Sequence, residues 1–399
     1  MADVKNYMVG NDQATIDQIE KFANSTAYCD SKIRIMPDAH AGKGAVVGST
    51  LTFSDKIVPA TVGVDIACRV SAFKVDGSFT DSDLLCLDCI CRGTIPTGFA
   101  VRNQESEFSI NFPYEKLHCW DMLQNHARLR RSMGTLGGGN HYIELDFDAN
   151  NGEYWFVIHS GSRNLGKQIA EYYQNIAIQL RDQRIANYHQ AKNSEIAYLR
   201  NIGRTDFIQI VVDYWNKRAL FEPENDLCYL EGDIMNDYLD DMRICNDFSY
   251  YSHQAIFHDV AAYMGWQDKT FITCVHNYVD VDNKIIRKGA ISGYKDELGL
   301  IPLNMRDGIL FVRALGNENW NYSLPHGAGR CMSRGEARRE LQLEDFQREM
   351  RGIMSTSILE ETIDEAPMAY KDADAIIEAI KPNAEIIALM RPCWNYKAC

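Results

Sequence analysis

Side chains that could do chemistry recur where apolar runs stop. VGVDIAC (62–68) sets Asp65 and Cys68 three residues apart after a β-like stretch. GTLGGGNHYIEL (134–145) puts three glycines before Asn140 and His141, and YWFVIHSGSRNLG (154–166) ends a strand-like run at His159, with Arg163 four residues later. FITCVHN (271–277) ends another at His276. A lone histidine is ordinarily a surface or hydrogen-bonded core residue. Here the pattern occurs three times, beside an Asp-x-x-Cys. Three imidazoles, a thiolate and a carboxylate exceed the needs of one tetrahedral zinc. They suit two divalent ions, an arrangement that clamps the oxygens in phosphoryl chemistry. Mixed N, O and S donors do not fix which metal.

NYSLPHGAGR (321–330) sets His326 on almost bare backbone, with Arg330 closing the run. Glycines at that density let a chain turn sharply or approach a ligand, and an arginine suits a phosphate. The stretch reads as a turn or a phosphate site. GGGN (137–140) is a second candidate anion nest, and MPDAHAGKGAVVG (36–48) brings Asp38, His40 and Lys43 together among glycines. FKVDGS contains Lys74-Val75-Asp76-Gly77, the KxDG pattern of lysine nucleotidyl transferases. So short a pattern also arises by chance, and its surroundings read as a strand and a turn.

The elements that must position these groups are short. Strands are expected at 32–36, 69–75, 141–145, 154–158, 271–275 and 309–315. Helices are expected at 11–24, 165–200, 333–353 (with Ser333 as N-cap) and 372–380. There is no regular strand–helix alternation, so the expected class is α+β: one compact catalytic domain over 1–399, with short strands around a central metal site and helices at the periphery. CLDCIC (86–91) holds one CxxC, with no second pair or histidine pair nearby, and reads as an apolar core segment.

The chain has 399 residues, 46% hydrophobic, and 12 cysteines, read as reduced, buried or metal-bound rather than as a disulfide framework. No apolar run is long enough for a membrane span and no signal peptide is visible at the N-terminus, so a cytoplasmic location is expected. A net charge of −14 argues against a general nucleic-acid coat. It leaves room for a local basic channel from HARLRRS (126–132) and GRCMSRGEARRELQ (329–342), segments that equally read as solvated helix faces.

Taken together, MPDAHAGKG, GVDIAC, GTLGGGNHYIEL, HSGSR, VHN, RKGAIS, PHGAGRCMSR, DEAPMAYKD and the terminal YKAC resemble, in order and spacing, the RtcB family of GTP-dependent RNA ligases. The resemblance implies joining of a 3′-phosphate or 2′,3′-cyclic phosphate RNA end to a 5′-hydroxyl end, in RNA repair or tRNA splicing. It implies two Mn2+ ions on Asp65, Cys68, His141, His159 and His276, with the thiolate shared. It makes His326 the nucleophile that takes GMP from GTP. Asn140, Glu144, Asn304, Gly327, Ala328, Gly329, Tyr370 and Lys397 would hold the guanosine nucleotide. Arg163, Lys288 and Arg330 would face phosphates of RNA or nucleotide. An activating helper protein is a further implied partner. A phosphoesterase that opens cyclic phosphates without ligating is the alternative, since it needs the metal set but neither His326 nor Lys397. A non-enzymatic RNA-binding protein is a more distant one. The chain departs from the family pattern at Ala67 and Arg69 (glycine positions), Asn164, Leu303-Asn304 and Ser252-His253, which marks a divergent branch.

Overall fold

A computed structural model describes residues 2–267 and 270–398. Two sheets carry the groups named above. Their strands in chain order are β1 (Asp3–Asn6), β2 (Lys32–His40), β3 (Val47–Thr52), β4 (Arg69–Val75), β5 (Tyr142–Asp148), β6 (Glu153–Ser160), β7 (Phe271–Val275), β8 (Asn277–Asp280), β9 (Ile285–Lys288), β10 (Leu298–Asn304), β11 (Gly308–Ala314) and β12 (Ala384–Lys397). The first sheet runs β1-β2-β3-β9-β8 and the second β10-β11-β12-β5-β6-β4-β7. Among the described strands of these two sheets only β1 and β2 pair in parallel. Largely antiparallel sheets without a regular strand–helix alternation are the α+β architecture expected from the sequence.

The seven-stranded sheet is packed on both faces, so strands such as Gly308–Ala314 read as nearly unbroken apolar runs, while Tyr142–Asp148 alternates apolar and acidic residues. Alternation is still present by neighbour. Val70, Ala72, Trp155 and Val157 face a core shared with Ile301, Leu310 and Ile376. Phe73, Val75, Phe156 and Ile158 face the opposite core with Leu87, Phe257 and Trp394. A side chain at a strand end therefore emerges on a face fixed by the strand's own period of two.

Helices cover the sheets: α1 (Gln13–Ala23), α2 (Asp81–Thr94), α3 (His126–Arg131), α4 (Arg163–Asn201), α5 (Ile208–Leu220), α6 (Asp233–Met264), α7 (Arg334–Glu340), α8 (Leu343–Glu349) and α9 (Ala373–Ile380). Helix α1 is capped by Asp12, whose carboxylate accepts from the Ala14 and Thr15 amides. The single helix expected at 333–353 is two. Ser333 caps α7 in a capping box with Glu336 as expected, but Leu341 is extended and α8 begins afresh. The break turns Leu341 and Leu343 onto a small core with Phe346 and Met305.

CLDCIC lies on α2, and only part of it is core. Leu84, Leu87 and Cys91 are buried, while Cys86 and Cys89 face solvent. The helical period, not the apolar run, sorts them. Helix α4 is 39 residues long and with α5 forms an arm in which no residue from 178 to 226 is buried. No helix among the described residues is long and apolar enough to cross a membrane.

Candidate metal and nucleotide centre

Four neighbouring strands bring the ligands together. In the order β5-β6-β4-β7 the chain direction alternates, so residues before β5 and β4 share an edge with residues at the ends of β6 and β7. His141 precedes β5, Cys68 precedes β4, His159 lies next to the end of β6, and His276 follows β7. Tyr142 and Val70 both pair with His159, and the His276 amide donates to Cys68 O at 2.9 Å. Sequence separations of more than two hundred residues collapse onto one sheet edge.

The donor atoms form two groups that share Cys68. Cys68, His159 and His276 make one, and Asp65, Cys68 and His141 the other, with all donors in each group within 4.8 Å. Cys68 Sγ lies 3.3 Å from His159 Nε2 and 3.6 Å from His141 Nε2, which is 3.2 Å from Asp65 Oδ2. Burial holds the His159 and His276 imidazoles far below their ordinary pKa, so both are neutral donors at pH 7. Burial raises the Asp65 carboxyl, but the hydrogen bond and charge of His141 outweigh it and hold it at about 2. Burial and the neighbouring Asp65 push the Cys68 thiol well up. Buried His276 Nδ1 has no hydrogen-bond partner among the described residues. Two neutral imidazoles, one of them partly orphaned, with His141 and Asp65 around one thiol fit two divalent cations, whose charge would draw off the thiol proton. His141 Nδ1 lies 2.9 Å from Leu136 O, an outer contact that fixes the ring.

His326 stands beside this cluster, its ring centroid 4.9 Å from that of His276. Its Nδ1 donates to Asp38 Oδ2 at 2.7 Å, and Asp38 is fully buried on β2. A carboxylate only accepts, so Nδ1 carries a proton, and in the neutral ring the lone pair is on Nε2. Gly329 makes the approach possible: at φ 75° any Cβ would sit 2.0 Å from Asp38 O. The sequence singled out Asp38 only as part of a glycine-rich polar segment. Its role as the orienting partner of His326 is visible only in three dimensions.

One cavity of about 810 Å³ joins the centre to the nucleotide candidates. Asp65, Cys68, His159, His276 and His326 open into it, as do Asn140, Glu144, Asn304, Gly327, Ala328, Gly329, Tyr370 and Lys397. Lys397 is placed by β12, whose second half pairs with β5 so that Lys397 lies opposite Tyr142. Its Nζ donates to Glu365 Oε2 at 2.6 Å. Tyr370 OH donates to the same oxygen at 2.7 Å, and Arg330 and Arg334 reach Oε1 at 3.3 and 2.6 Å. Burial raises the Glu365 carboxyl, but Lys397 and Arg334 outweigh it and hold it at about 2. Glu365, a buried acid that sequence reasoning passed over inside DEAPMAYKD, is the hub of this wall. Burial raises the Glu144 carboxyl to about 8, and Asn395 donates to it.

The phosphate-facing candidates divide. Lys288 and Arg330 line the cavity, Lys288 with its Nζ on the carbonyls of Lys43 and Ala60. Arg163 lies outside that lining, on the other side of His141, with Nη1 3.2 Å from His141 Nδ1. Its guanidinium fills the space over Gly137, where a Cβ would fall 1.9 Å from Nη1. Arg163 itself has φ 58°, a strained conformation of the kind that gathers at functional sites. Lys74 stands apart. It pairs with Glu153 five residues along β4 from Arg69, about 17 Å from the ligand edge at the usual rise per residue.

The model of the family described as tRNA-splicing ligase RtcB matches residues 18–118 and 114–398. The chain belongs to the RtcB family. It is 30% identical to the RNA-splicing ligase RtcB of Escherichia coli strain K12, over 90% of this chain and 88% of that protein. It is 25% identical to the tRNA-splicing ligase RtcB of Pyrobaculum aerophilum, over 86% and 83%, and 23% identical to that of Archaeoglobus fulgidus, over 94% and 90%.

Departures from the RtcB pattern cluster behind Cys68. Ala67 keeps the glycine-type conformation, φ 58°, held by its amide on Asn277 O and by Ser249 Oγ on its carbonyl. Arg69 is buried and reaches Ser249, Asn246 and Thr273, so β4 supplies a guanidinium to α6. Ser252 and His253 are buried on α6, His253 between Ser71 Oγ at 2.8 Å and Ser160 O at 3.2 Å. Asn304 directs its amide into its own turn, on Asp307 and the Arg306 amide. Asn164 is exposed. Cys399 of the terminal motif lies outside the described residues.

Proposed function

We propose that this chain is a GTP- and Mn2+-dependent RNA ligase that joins 2′,3′-cyclic phosphate or 3′-phosphate ends to 5′-hydroxyl ends, in RNA repair or tRNA splicing. The observation that carries the reading is His326, with Nδ1 tied to buried Asp38 and Nε2 free, beside the metal cluster at the wall of one nucleotide-sized cavity.

The free Nε2 is the attacking atom. It forms a bond to the GTP α-phosphorus as the bond to pyrophosphate breaks, and Asp38 stabilises the positive charge left on the ring. Two divalent ions on Asp65, Cys68, His141, His159 and His276, when bound, supply charge neutralisation for the phosphates. Lys397 reads the guanine base, Glu144 helps hold the nucleotide, and the glycines after His326 give the α-phosphate close access. GMP then passes from His326 to the RNA 3′-phosphate as an anhydride. The 5′-hydroxyl attacks that RNA phosphorus, the new phosphodiester forms, and GMP leaves. A cyclic phosphate is first opened by water to a 3′-phosphate.

The test is incubation with manganese and α-labelled GTP, followed by mapping of the label. Label on His326, lost in His326→Ala and kept in Lys74→Ala, is expected. Absence of guanylylated protein with RNA 3′-end hydrolysis retained would replace this reading with a cyclic-phosphate phosphoesterase.

A further inference from the structure

Phe99 is a large apolar side chain left 94% exposed, the highest value among the large hydrophobic side chains of the described residues. Single exposed apolar residues are ordinary. This one is mounted rigidly beside the site. It stands in the turn Thr97–Ala100, closed by the Ala100 amide on Thr97 O at 2.9 Å, with Gly98 at φ 57°. The turn is laced to the glycine loop of the site: Gly98 N–H donates to Gly137 O and Leu136 N–H to Pro96 O, both at 2.9 Å. Arg163 Nη2 reaches Gly98 O at 3.5 Å, while its Nη1 lies against His141. The Phe99 ring thus follows, by one residue, a carbonyl that touches the arginine next to a metal ligand.

The surroundings are cationic in a chain of net charge −14. Arg128 of α3 donates to Phe99 O. Arg130 is turned away onto Glu115 and the Tyr114 and Trp120 rings, so α3 directs one of its arginines toward the Phe99 turn and another off it. An exposed ring on a turn whose Gly98 and Phe99 carbonyls are met by two guanidinium groups suits single-stranded nucleic acid, with a base on the ring and phosphates on the cations. Phe99, Arg128 and Arg163 are absent from the lining of the GTP-sized cavity, which leaves them to a second substrate.

We propose that Phe99 is the stacking platform for a base of the RNA strand next to its reacting end, with Arg128 and Arg163 meeting the adjoining phosphates. This rests on the RNA-ligase reading above. Stacking needs only the π-face of a base, so the platform selects an unpaired end and not a sequence.

The experiment uses the full-length protein and an RNA carrying 2-aminopurine next to its 3′-phosphate. Binding without GTP should quench the fluorophore. Phe99→Ala should abolish the quench and raise the KM for RNA about tenfold, within what one base–ring stack contributes. Its kcat, and the rate of His326 guanylylation from GTP alone, should stay within twofold. Phe99→Trp should restore both quench and KM. A Phe99→Ala protein with unchanged KM and quench overturns the platform and leaves the ring to another partner, such as a protein. Equal losses of guanylylation and RNA affinity overturn it too, since they report damage to the loop. If wild-type protein is never guanylylated, the ligase reading falls, while the GTP-independent quench still decides the platform.

Discussion

Asp38 Oδ2 accepts the Nδ1 proton of His326 at 2.7 Å, across 288 positions of chain. The pair fixes both the tautomer and the direction of Nε2. Asp38→Asn keeps the volume and removes the obligate acceptor. Guanylylation should fall by about 10²- to 10⁴-fold, the range seen when the orienting acid of a catalytic histidine is lost. Bound metal should be unchanged. A loss below tenfold would show that His326 does not need Asp38.

Cys68 belongs to both donor groups, whereas His159 belongs to one. Cys68→Ala should therefore strip both divalent ions, and His159→Ala should leave the group of Asp65, Cys68 and His141 able to hold one. Metal analysis after gel filtration reads the stoichiometry directly. Equal stoichiometry in the two variants would contradict the shared thiolate.

Metal binding should strengthen with pH. His159 and His276 are already neutral, but the Cys68 thiol is pushed up by burial and Asp65 and must lose its proton to bind. Affinity should rise about tenfold per pH unit between 6 and 8, with one proton released. Calorimetry in buffers of different ionisation heat measures that proton. A flat profile in the wild type would refute the account.

Glu365 predicts an acid limit to stability. Its carboxyl titrates at about 2 in the fold against an ordinary 4.5. The stabilisation is complete above 4.5 and is lost as the pH falls toward 2, because the unfolded chain takes up the proton first. Urea unfolding across that window should show a falling midpoint. The curve for Glu365→Gln should be flatter there, and a variant as steep as the wild type would remove Glu365 as the cause.

Gly137 and Gly93 should respond oppositely to alanine. Gly137 has φ 86°, and a Cβ there would collide with the Arg163 guanidinium. Gly137→Ala should cost more than about 1 kcal/mol and displace Arg163, lowering RNA-dependent turnover more than guanylylation. Gly93 lies inside α2 with open space around its Cβ position. Gly93→Ala should stabilise by up to about 1 kcal/mol. Thermal unfolding of the two variants is sufficient to decide.

The candidate donor types and their local settings were legible in the chain alone. Cys68, His141, His159 and His276 were legible because an apolar run that stops at a polar residue is a local signal. The strands at 69–75 and 154–158, the helix cap at Ser333 and the long helix from Arg163 were legible for the same reason, since propensity and period are properties of neighbours. The separation of Cys86 and Cys89 from Cys91 was not, because facing depends on what α2 packs against. It took the fold to show that antiparallel strand order puts four ends bearing candidate donors on one edge. It alone joined Asp38 to His326, and Glu365 to Lys397, Arg330 and Tyr370. Each of these pairs is a contact between elements at least five residues, and mostly tens to hundreds, apart. A buried carboxylate looks the same in a sequence whether it orients a nucleophile or anchors a cation. The difference lies in which strand end or loop the fold brings against it.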